Sequence, residues 1–544
     1  MLLKRFLPLY LAVLGALLLW TAWPVSPFTL LIFVAWVPLL WIESQLTSVK
    51  KFFGLAYLHM FLWNILTTWW IWYASEPGAL GAFFANSLIM CIPWLLFHMT
   101  KKRWGTWIGY SSLIIYWIAF EYLHHNWELS WPWLTLGNSF ATHPEWVQWY
   151  EFSGTAGGSI WVLLSNILVF AALYEFKKNG RSRAYTYSIA GWMAVIIIPL
   201  LSSFLLLQSE RKKSQAELSK ADDNVVVVQP NINPYTEKFS TDIISQVEKL
   251  ILWSEKQMDD YTTLVVWPET AIPAQAWESD IKQTEFYNLI WNFLRRHPRA
   301  NLLTGMDSYK NYGSDKSKAT PTARFDAAMG TYYDAFNTAA FMAVDSSIQL
   351  YHKAKLVPGA ESLPSFLNFM SSWFEHFGGM SGTLGRESEQ KVFVPWDQHF
   401  KPAPIICYES IYGDYVAGFV RRGATILTVI TNDGWWKNTP GYKQHMNYAR
   451  LRAIETRKWV ARSANTGISC FIDPLGNVID PQAWDTTASI KLAIPVNTRE
   501  TFFVKHGDIL SPAFTVIALA LILGNFLAWF WLKIFRKKFP ALQS

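Results

Sequence analysis

The chain is short of charge. Asp, Glu, Lys and Arg make up only 16% of its 544 residues, while 51% are hydrophobic. That balance excludes an ordinary soluble enzyme. Cysteine is scarce as well: Cys91, Cys407 and Cys470 are all there are. An odd count excludes full pairing and leaves at least one free thiol. Acidic residues are outnumbered, giving a net charge of +7. The basic residues, however, form short clusters between apolar runs. This is the pattern of loops in a membrane protein, so nucleic acid is not an expected partner. The stretch Ala-Trp-Pro-Val-Ser-Pro after the first apolar run lacks the small residues of a signal cleavage site, so that run is expected to be retained.

Tryptophan is abundant, with 31 residues. The length allows two or more domains. A bilayer core needs about 20 apolar residues in helical form. Eight segments are predicted to span it: Phe6–Trp23, Thr29–Ile42, Phe53–Tyr73, Leu80–His98, Trp104–Leu123, Gly158–Phe176, Tyr187–Leu207 and Ser511–Leu532. Basic residues fall in every second connection: Lys4 and Arg5; Lys50 and Lys51; Lys101, Lys102 and Arg103; Lys177, Lys178, Arg181 and Arg183; Arg536, Lys537 and Lys538. The alternate loops Pro24–Phe28, Ser75–Gly78 and His124–Ala156 contain no Lys or Arg. The alternation predicts both termini on the cytoplasmic side and the region between the last two spans outside. Arg211, Lys212, Lys213 and Lys220 run against the rule on the outer side and are expected to form a solvated linker.

Residues 221–505 read as an α/β unit between 1–220 and 506–544. Strands are predicted at Asn224–Gln229, Thr263–Trp267, Asn301–Gly305, Ala335–Val344, Ser347–His352, Lys391–Val394, Pro404–Cys407, Thr425–Thr431, Lys458–Ser463 and Gly467–Asp473. Helices are predicted at Thr241–Asp259, Asp280–Arg296, Ile411–Arg421 and Tyr442–Arg457, which alternate with the strands as in sheets covered by helices. Three polar residues follow buried strands, where α/β enzymes place chemistry: Glu269, Lys353 and Cys407. A thiol attacks as thiolate and so needs a base; Glu269 could take its proton, and Lys353 could stabilise an oxyanion. Many proteins hold such a trio, and the residues alone do not decide it.

The surrounding motifs are more specific. In order they are Val228–Asn231 (Val-Gln-Pro-Asn), Trp267–Ala271 (Trp-Pro-Glu-Thr-Ala), Lys353 with Leu356–Pro358 and Glu361, Cys407–Glu409 (Cys-Tyr-Glu), Thr431–Trp436, Gln444-His445, Arg450–Glu455, and Arg462 to Gly467. Together with Trp131–Gly137 they resemble the nitrilase superfamily and, within it, the apolipoprotein N-acyltransferases. The resemblance covers essentially the whole chain. It implies an eight-helix membrane domain with a nitrilase-like αββα sandwich inserted before the last helix, in a bacterial inner membrane with the catalytic unit periplasmic. It implies Glu269 as general base, Lys353 as oxyanion stabiliser and Cys407 as nucleophile. Glu361 would be a supporting glutamate, the N–H of Tyr408 would complete the oxyanion hole, and Glu409 would shape the site. Trp435 would sit near the substrate entrance. Phe239 stands where the family often has tryptophan, and Pro358-Gly-Ala-Glu361 and Asn432-Asp-Gly-Trp-Trp436 depart from its usual wording. These departures bear on acyl and head-group preference.

The activity implied is ping-pong transfer of an acyl chain from a phospholipid, through a Cys407 thioester, to the α-amino group of the diacylglyceryl-cysteine of an apolipoprotein. No cofactor or metal is implied. Nothing suggests a coiled coil or a swapped strand, so a monomer is expected. Cys91 and Cys470 read as packing residues and His445 as a structural hydrogen-bonding group. His124-His125 lacks metal-ligand spacing. The Trp-rich helices and Trp131-Pro-Trp133 read as interfacial anchors, and Gly378 to Gly385 as a flexible arm over the site. Two other functional classes fit parts of this pattern. A membrane-tethered C–N hydrolase would use water as acceptor, but the eight-helix base and the Trp loop oppose it. A non-enzymatic scaffold or transporter is opposed by the few charges in the membrane helices.

Overall fold

The four valines Val225–Val228 have no exposed surface, and the two faces of their strand explain why. In a strand successive side chains point to opposite sides. Val225 and Val227 pack toward a second sheet, while Val226 and Val228 pack against two covering helices. A strand buried on both sides reads as an unbroken apolar run, not an alternating one. The computed structural model describes residues 2–366, 383–395 and 400–538.

The first sheet contains β1 (Asn224–Gln229), β2 (Thr262–Val266), β3 (Ile272–Trp277), β4 (Asn301–Gly313), β5 (Arg324–Asp326), β6 (Thr331–Met342), β7 (Ile348–His352) and β13 (Ala488–Ala493). Its order is β13-β1-β2-β4-β6-β5, with β3 also on β4 and β7 also on β6. The second sheet is β12-β11-β10-β9-β8: β8 (Pro402–Ile406), β9 (Ile426–Thr431), β10 (Val460–Ala464), β11 (Cys470–Ile472) and β12 (Val478–Ile479). Strands β1, β2 and β4 are parallel, as are β8, β9 and β10. The helices Ile243–Glu255 and Glu285–Arg296 cover the first sheet, and Gly413–Arg421 and Pro440–Thr456 pack on the second. This is the nitrilase-like sandwich expected.

Differences from the sequence reading have local causes. No strand forms at Lys391–Val394. The N–H of Phe393 reaches the Pro402 carbonyl (3.1 Å), but that of Val394 goes to the Gln349 side chain (3.1 Å), so no ladder builds. Strand β3, which contains Pro273, and the edge strand β13 were not anticipated; weak patterning is usual at such positions. Gly378 and Gly379 lie outside the described residues, while Gly385 donates its N–H to the Ala335 carbonyl (2.9 Å).

Among the described residues five helices are long and apolar enough to cross a membrane: Arg5–Ala22, Glu76–Trp104, Tyr150–Asn179, Arg183–Leu218 and Leu510–Trp531. Three of the eight expected spans fall outside that group. Thr29–Ile42 is broken into a 3-10 turn, Thr29–Phe33, and a helix, Val37–Gln45, whose 9 residues rise only about 14 Å. The 20-residue helices Val49–Thr68 and Thr106–His125 carry His59, Asn64, Glu121 and His124, all turned inward and buried. The basic segment Arg211–Lys213 is not a linker. It continues the Arg183–Leu218 helix, where Glu210 pairs with Lys213 (2.7 Å) and Arg499.

Not all of the tryptophans can be interfacial anchors. Trp23, Trp36, Trp63, Trp70, Trp94, Trp117 and Trp133 are all buried, and Trp36 lies 5.1–5.5 Å from Trp63, Trp94 and Trp117. Rings of this size fill the interior between short, irregular helices.

The helix Pro440–Thr456 joins the two halves. Met446, Ala449 and Ala453 face the second sheet, while Tyr448, Leu451 and Ile454 face the core of the membrane helices. Just after it, Arg457 reaches Gln148 Oε1 (2.6 Å), the Gln148 carbonyl (2.9 Å), Glu151 (2.6 Å) and the Pro474 carbonyl (3.0 Å). Removing a buried cation from such a set strands its partners. Arg457→Met is therefore expected to cost about 3–5 kcal/mol, read as a lower melting temperature of the detergent-solubilised protein. Glu151→Gln should cost less. Equal melting temperatures for Arg457→Met and the unaltered protein would contradict this role.

Candidate active site

Three strand ends converge. Glu269 follows β2 through Trp267-Pro268, Lys353 follows β7, and Cys407 follows β8. Lys353 has 1% of its side chain exposed, and its Nζ contacts Glu269 Oε1 (3.2 Å) and Glu361 Oε1 (2.8 Å). Asn337, on β6, donates from Nδ2 to Glu269 Oε1 (2.7 Å) and to Glu361 Oε1 (3.2 Å). The other oxygen of Glu269 accepts the N–H of Asn432 (2.9 Å), and that of Glu361 accepts the N–H of Val357 (2.8 Å). Gly305 makes room for this arrangement. A Cβ there would lie 2.4 Å from the Thr270 nitrogen and 2.6 Å from the Glu269 Cα.

Cys407 has φ +50°, a conformation that costs energy in a residue with a Cβ and is kept where surroundings over-determine it. It opens a 3-10 turn, Cys407–Ile411. Glu409 pins that turn. It accepts the N–H groups of Ile406 (2.9 Å) and Ala354 (2.7 Å) and the Tyr351 hydroxyl (2.6 Å), tying the turn of Cys407 to the segment after Lys353. Tyr408 sends its hydroxyl to the Ser130 carbonyl (2.9 Å), in the loop between membrane helices. Beneath, His445 contacts the Cys407 carbonyl (3.1 Å), Ser410 Oγ (3.0 Å) and Asp433 (2.9 Å), and Arg462 donates to Asp433 (2.8 Å). His445 thus supports the backbone of Cys407, as the structural reading expected.

The electrostatics separate the groups. Burial pulls the Lys353 ammonium down, but the charges of Glu269 and Glu361 outweigh it and hold it well above the ordinary lysine value. Burial pushes Glu269 up, but the Lys353 charge, the Asn337 hydrogen bond and the Lys238 charge hold its carboxyl below the ordinary value. Burial, then the charge of Glu269, drives the Cys407 thiol well above the ordinary value, against the pull of Lys353. The resting site holds a neutral thiol beside a carboxylate and an ammonium. Such a site can remove the thiol proton when an electrophile arrives and can hold a developing oxyanion.

Cys407 borders an apolar cleft of about 1030 Å³, open space included, walled by Trp70 and Ile71 of the 3-10 turn after Val49–Thr68, by Ala82 of the Glu76–Trp104 span, and by Val357 and Trp436. The wall contains Trp436 rather than Trp435. Trp435 stands half-buried next to Tyr235, 5.4 Å between ring centroids, and accepts the Tyr235 hydroxyl at its carbonyl (2.6 Å). Phe239 is 64% exposed, and the neighbouring Lys238 is buried. Sequence reasoning missed Asn337. Its one signal is its position opposite Asp307 in the β4–β6 ladder, a polar pair amid apolar strands.

Residues 15–168 match the family model described as apolipoprotein N-acyltransferase N-terminal domain, and residues 224–501 that of carbon-nitrogen hydrolase. An apolipoprotein N-acyltransferase of Chlorobaculum tepidum is 30% identical over 92% of this chain and 93% of its own. Apolipoprotein N-acyltransferase 1 of Treponema denticola is 26% identical over 87% of each chain. One from Thermotoga maritima is 23% identical over 93% of this chain and 91% of its own.

Because Glu269 lies below the ordinary glutamate value, it stays a carboxylate, and keeps its pairing with Lys353, as pH falls through about 4.3. Acylation of Cys407 by an activated ester should therefore hold its rate through that region and fall only at lower pH. A midpoint at or above about 4.3 would refute the assignment of Glu269 as base.

Proposed function

The chain belongs to the apolipoprotein N-acyltransferases of the nitrilase superfamily, and from that premise we propose that Cys407 carries the acyl chain in a ping-pong reaction. The enzyme is an acyltransferase of lipoprotein biosynthesis, with a phospholipid donor and a lipoprotein acceptor. Glu269 takes the thiol proton as Sγ attacks an ester carbonyl of the phospholipid. The oxyanion is held by the Lys353 ammonium and the N–H of Tyr408. Collapse breaks the ester bond, and the departing glycerol oxygen receives the proton from Glu269, leaving a thioester and a lysophospholipid. The α-amino group of a diacylglyceryl-cysteine then attacks the thioester, Glu269 takes its proton and returns it to the sulfur, and an amide is formed. Glu361 and Asn337 hold Lys353 and Glu269 in place, and Glu409 holds the turn that carries Cys407. Trp435 and Phe239 form the entrance over which the lipids pass.

The observation that carries this reading is the cleft. Cys407 borders a space walled by apolar residues of the membrane helices, which suits acyl chains and not a small soluble amide. We further propose eight membrane spans, with Val49–Thr68, Thr106–His125 and the broken Thr29–Gln45 segment completing the five longer ones. Residues 221–505 then form a periplasmic catalytic unit between 1–220 and 506–544, which hold the cytoplasmic termini, and one chain acts alone. The alternation of basic loops supports this side. Protease added outside spheroplasts should cut within 221–505, and protection of that region would reverse the orientation.

Intact mass measurement of the protein with phospholipid and no acceptor should show the gain of one acyl chain on the Cys407 peptide, discharged by a diacylglyceryl-cysteine peptide. Cys407→Ala should abolish both acyl gain and transfer while melting like the unaltered protein. Cys407→Ser should trap little or no adduct, because an alkoxide is far harder to form than a thiolate. Full transfer by Cys407→Ala would exclude this mechanism. An absent adduct on the folded, unaltered protein would favour an amidase or another donor.

A further inference from the structure

In an antiparallel ladder, directly opposed residues put their side chains on the same face, with Cβ atoms about 5 Å apart. Asp307 of β4 stands opposite Asn337 of β6. Lys353, just beyond β7, donates its N–H to the Asn337 carbonyl (2.9 Å). The three residues form one row across three strands. Strand alternation fixes the face they point to. Leu303, Ala339 and Phe341 share the core that contains Cys407, while Leu302, Met306 and Ala340 pack toward the covering helices. Asp307 and Asn337 are in step with the first set, so their side chains face the second sheet. Gly305, two residues before Asp307, points the same way: a Cβ there would lie 2.6 Å from the Glu269 Cα.

Asp307 thus shares a face with Asn337, which holds Glu269 and Glu361. Its carboxyl group is partly exposed and makes no hydrogen bond or ion pair among the described residues. Burial raises it to about 6, with the Lys238 charge pulling down and those of Glu269 and Glu361 pushing up. Lys238 is 4% exposed and feels the charges of Asp307, Glu269 and Cys407 without an ion pair to any of them. Three carboxyl groups, Glu269, Glu361 and Asp307, therefore accompany two ammonium groups, Lys353 and Lys238. With all five ionised, the site carries one negative charge in excess beside a neutral thiol. That balance suits a cation and not a second anion.

The second half-reaction brings a cation. An α-amino group has a pKa of about 7.7–8.0, so near neutral pH it arrives largely as ammonium. Two protons must leave its nitrogen, one before attack and one as the amide forms. Glu269 takes the second and returns it to the sulfur, so the first needs another base. We propose that Asp307 receives the α-ammonium of the acceptor and takes the proton it loses before attacking the thioester. This rests on Cys407 carrying the acyl chain. Ammonium and Asp307 carboxylate become amine and carboxylic acid. The amine attacks the thioester carbon, the C–S bond breaks, and Asp307 later gives its proton to water. Lys238 and Lys353 assist, because nearby positive charge favours the neutral amine.

The full-length protein is first charged with phospholipid, and the Cys407 thioester is measured by intact mass. No adduct on the unaltered protein overturns the acyl-enzyme reading and this proposal with it. Discharge is then timed with a diacylglyceryl-cysteine peptide and with hydroxylamine, which is uncharged at neutral pH and needs no prior base. Asp307→Asn should slow discharge by the peptide about a hundredfold, while acylation and discharge by hydroxylamine hold their rates. Asp307→Ala serves as a second variant should the first not fold. Peptide discharge at the unaltered rate overturns the proposal. So does an equal loss with hydroxylamine or in acylation, which would mark Asp307 as framework. Each of these outcomes leaves the Cys407 thioester standing.

Discussion

A buried ammonium organises the catalytic unit. Lys353 cannot keep its charge away from water unless opposite charges accompany it. Glu269 comes from the end of β2, and Glu361 from the segment after Lys353 itself. Each carboxylate has a second oxygen to satisfy: that of Glu269 draws in the end of β9 through the Asn432 N–H and that of Glu361 takes the Val357 N–H, while Asn337 of β6 donates to the two oxygens that face Lys353. The charge thereby locks together strand ends from both sheets. Apolar residues could fill this space at less electrostatic cost, so stability alone does not account for the set.

In the proposed mechanism that same charge pattern keeps the Cys407 thiol neutral until an electrophile enters, when the nearby ammonium has a negative oxygen to hold. Burial keeps these interactions strong, and the walls that provide the burial are the membrane helices themselves. Trp133 illustrates the coupling. It donates to Gln444 (2.7 Å), its carbonyl accepts the Tyr448 hydroxyl (3.0 Å), and its ring packs against those of Trp70 and Trp436. The membrane half is thus part of the substrate cleft and not merely an anchor.

Much of the site was legible in the residues. Glu269, Lys353 and Cys407 stood out as polar residues after buried strands, and the motifs around them carried the family. The strands of the sandwich were legible where both faces are apolar, as at Val225–Val228. Edge elements such as β3 and β13 were not, because one-sided burial leaves a weak pattern. Asn337 was invisible for a related reason: a lone asparagine in a strand has no signature until its ladder partner and the carboxylates it serves are known.

The tryptophans show the limit most clearly. Composition predicts that so many aromatic rings belong to a membrane protein, and local pattern assigns them to its interfaces. Packing put many of them inside, because short, broken helices leave space that only large rings fill. By itself the sequence determined the two-part organisation, the strand ends that meet in the candidate site and the family. Only the tertiary structure decided which polar atoms pair with which, because hydrogen-bond partners such as Asn337 and Glu269, or Trp133 and Gln444, meet through folding geometry that residue type does not encode.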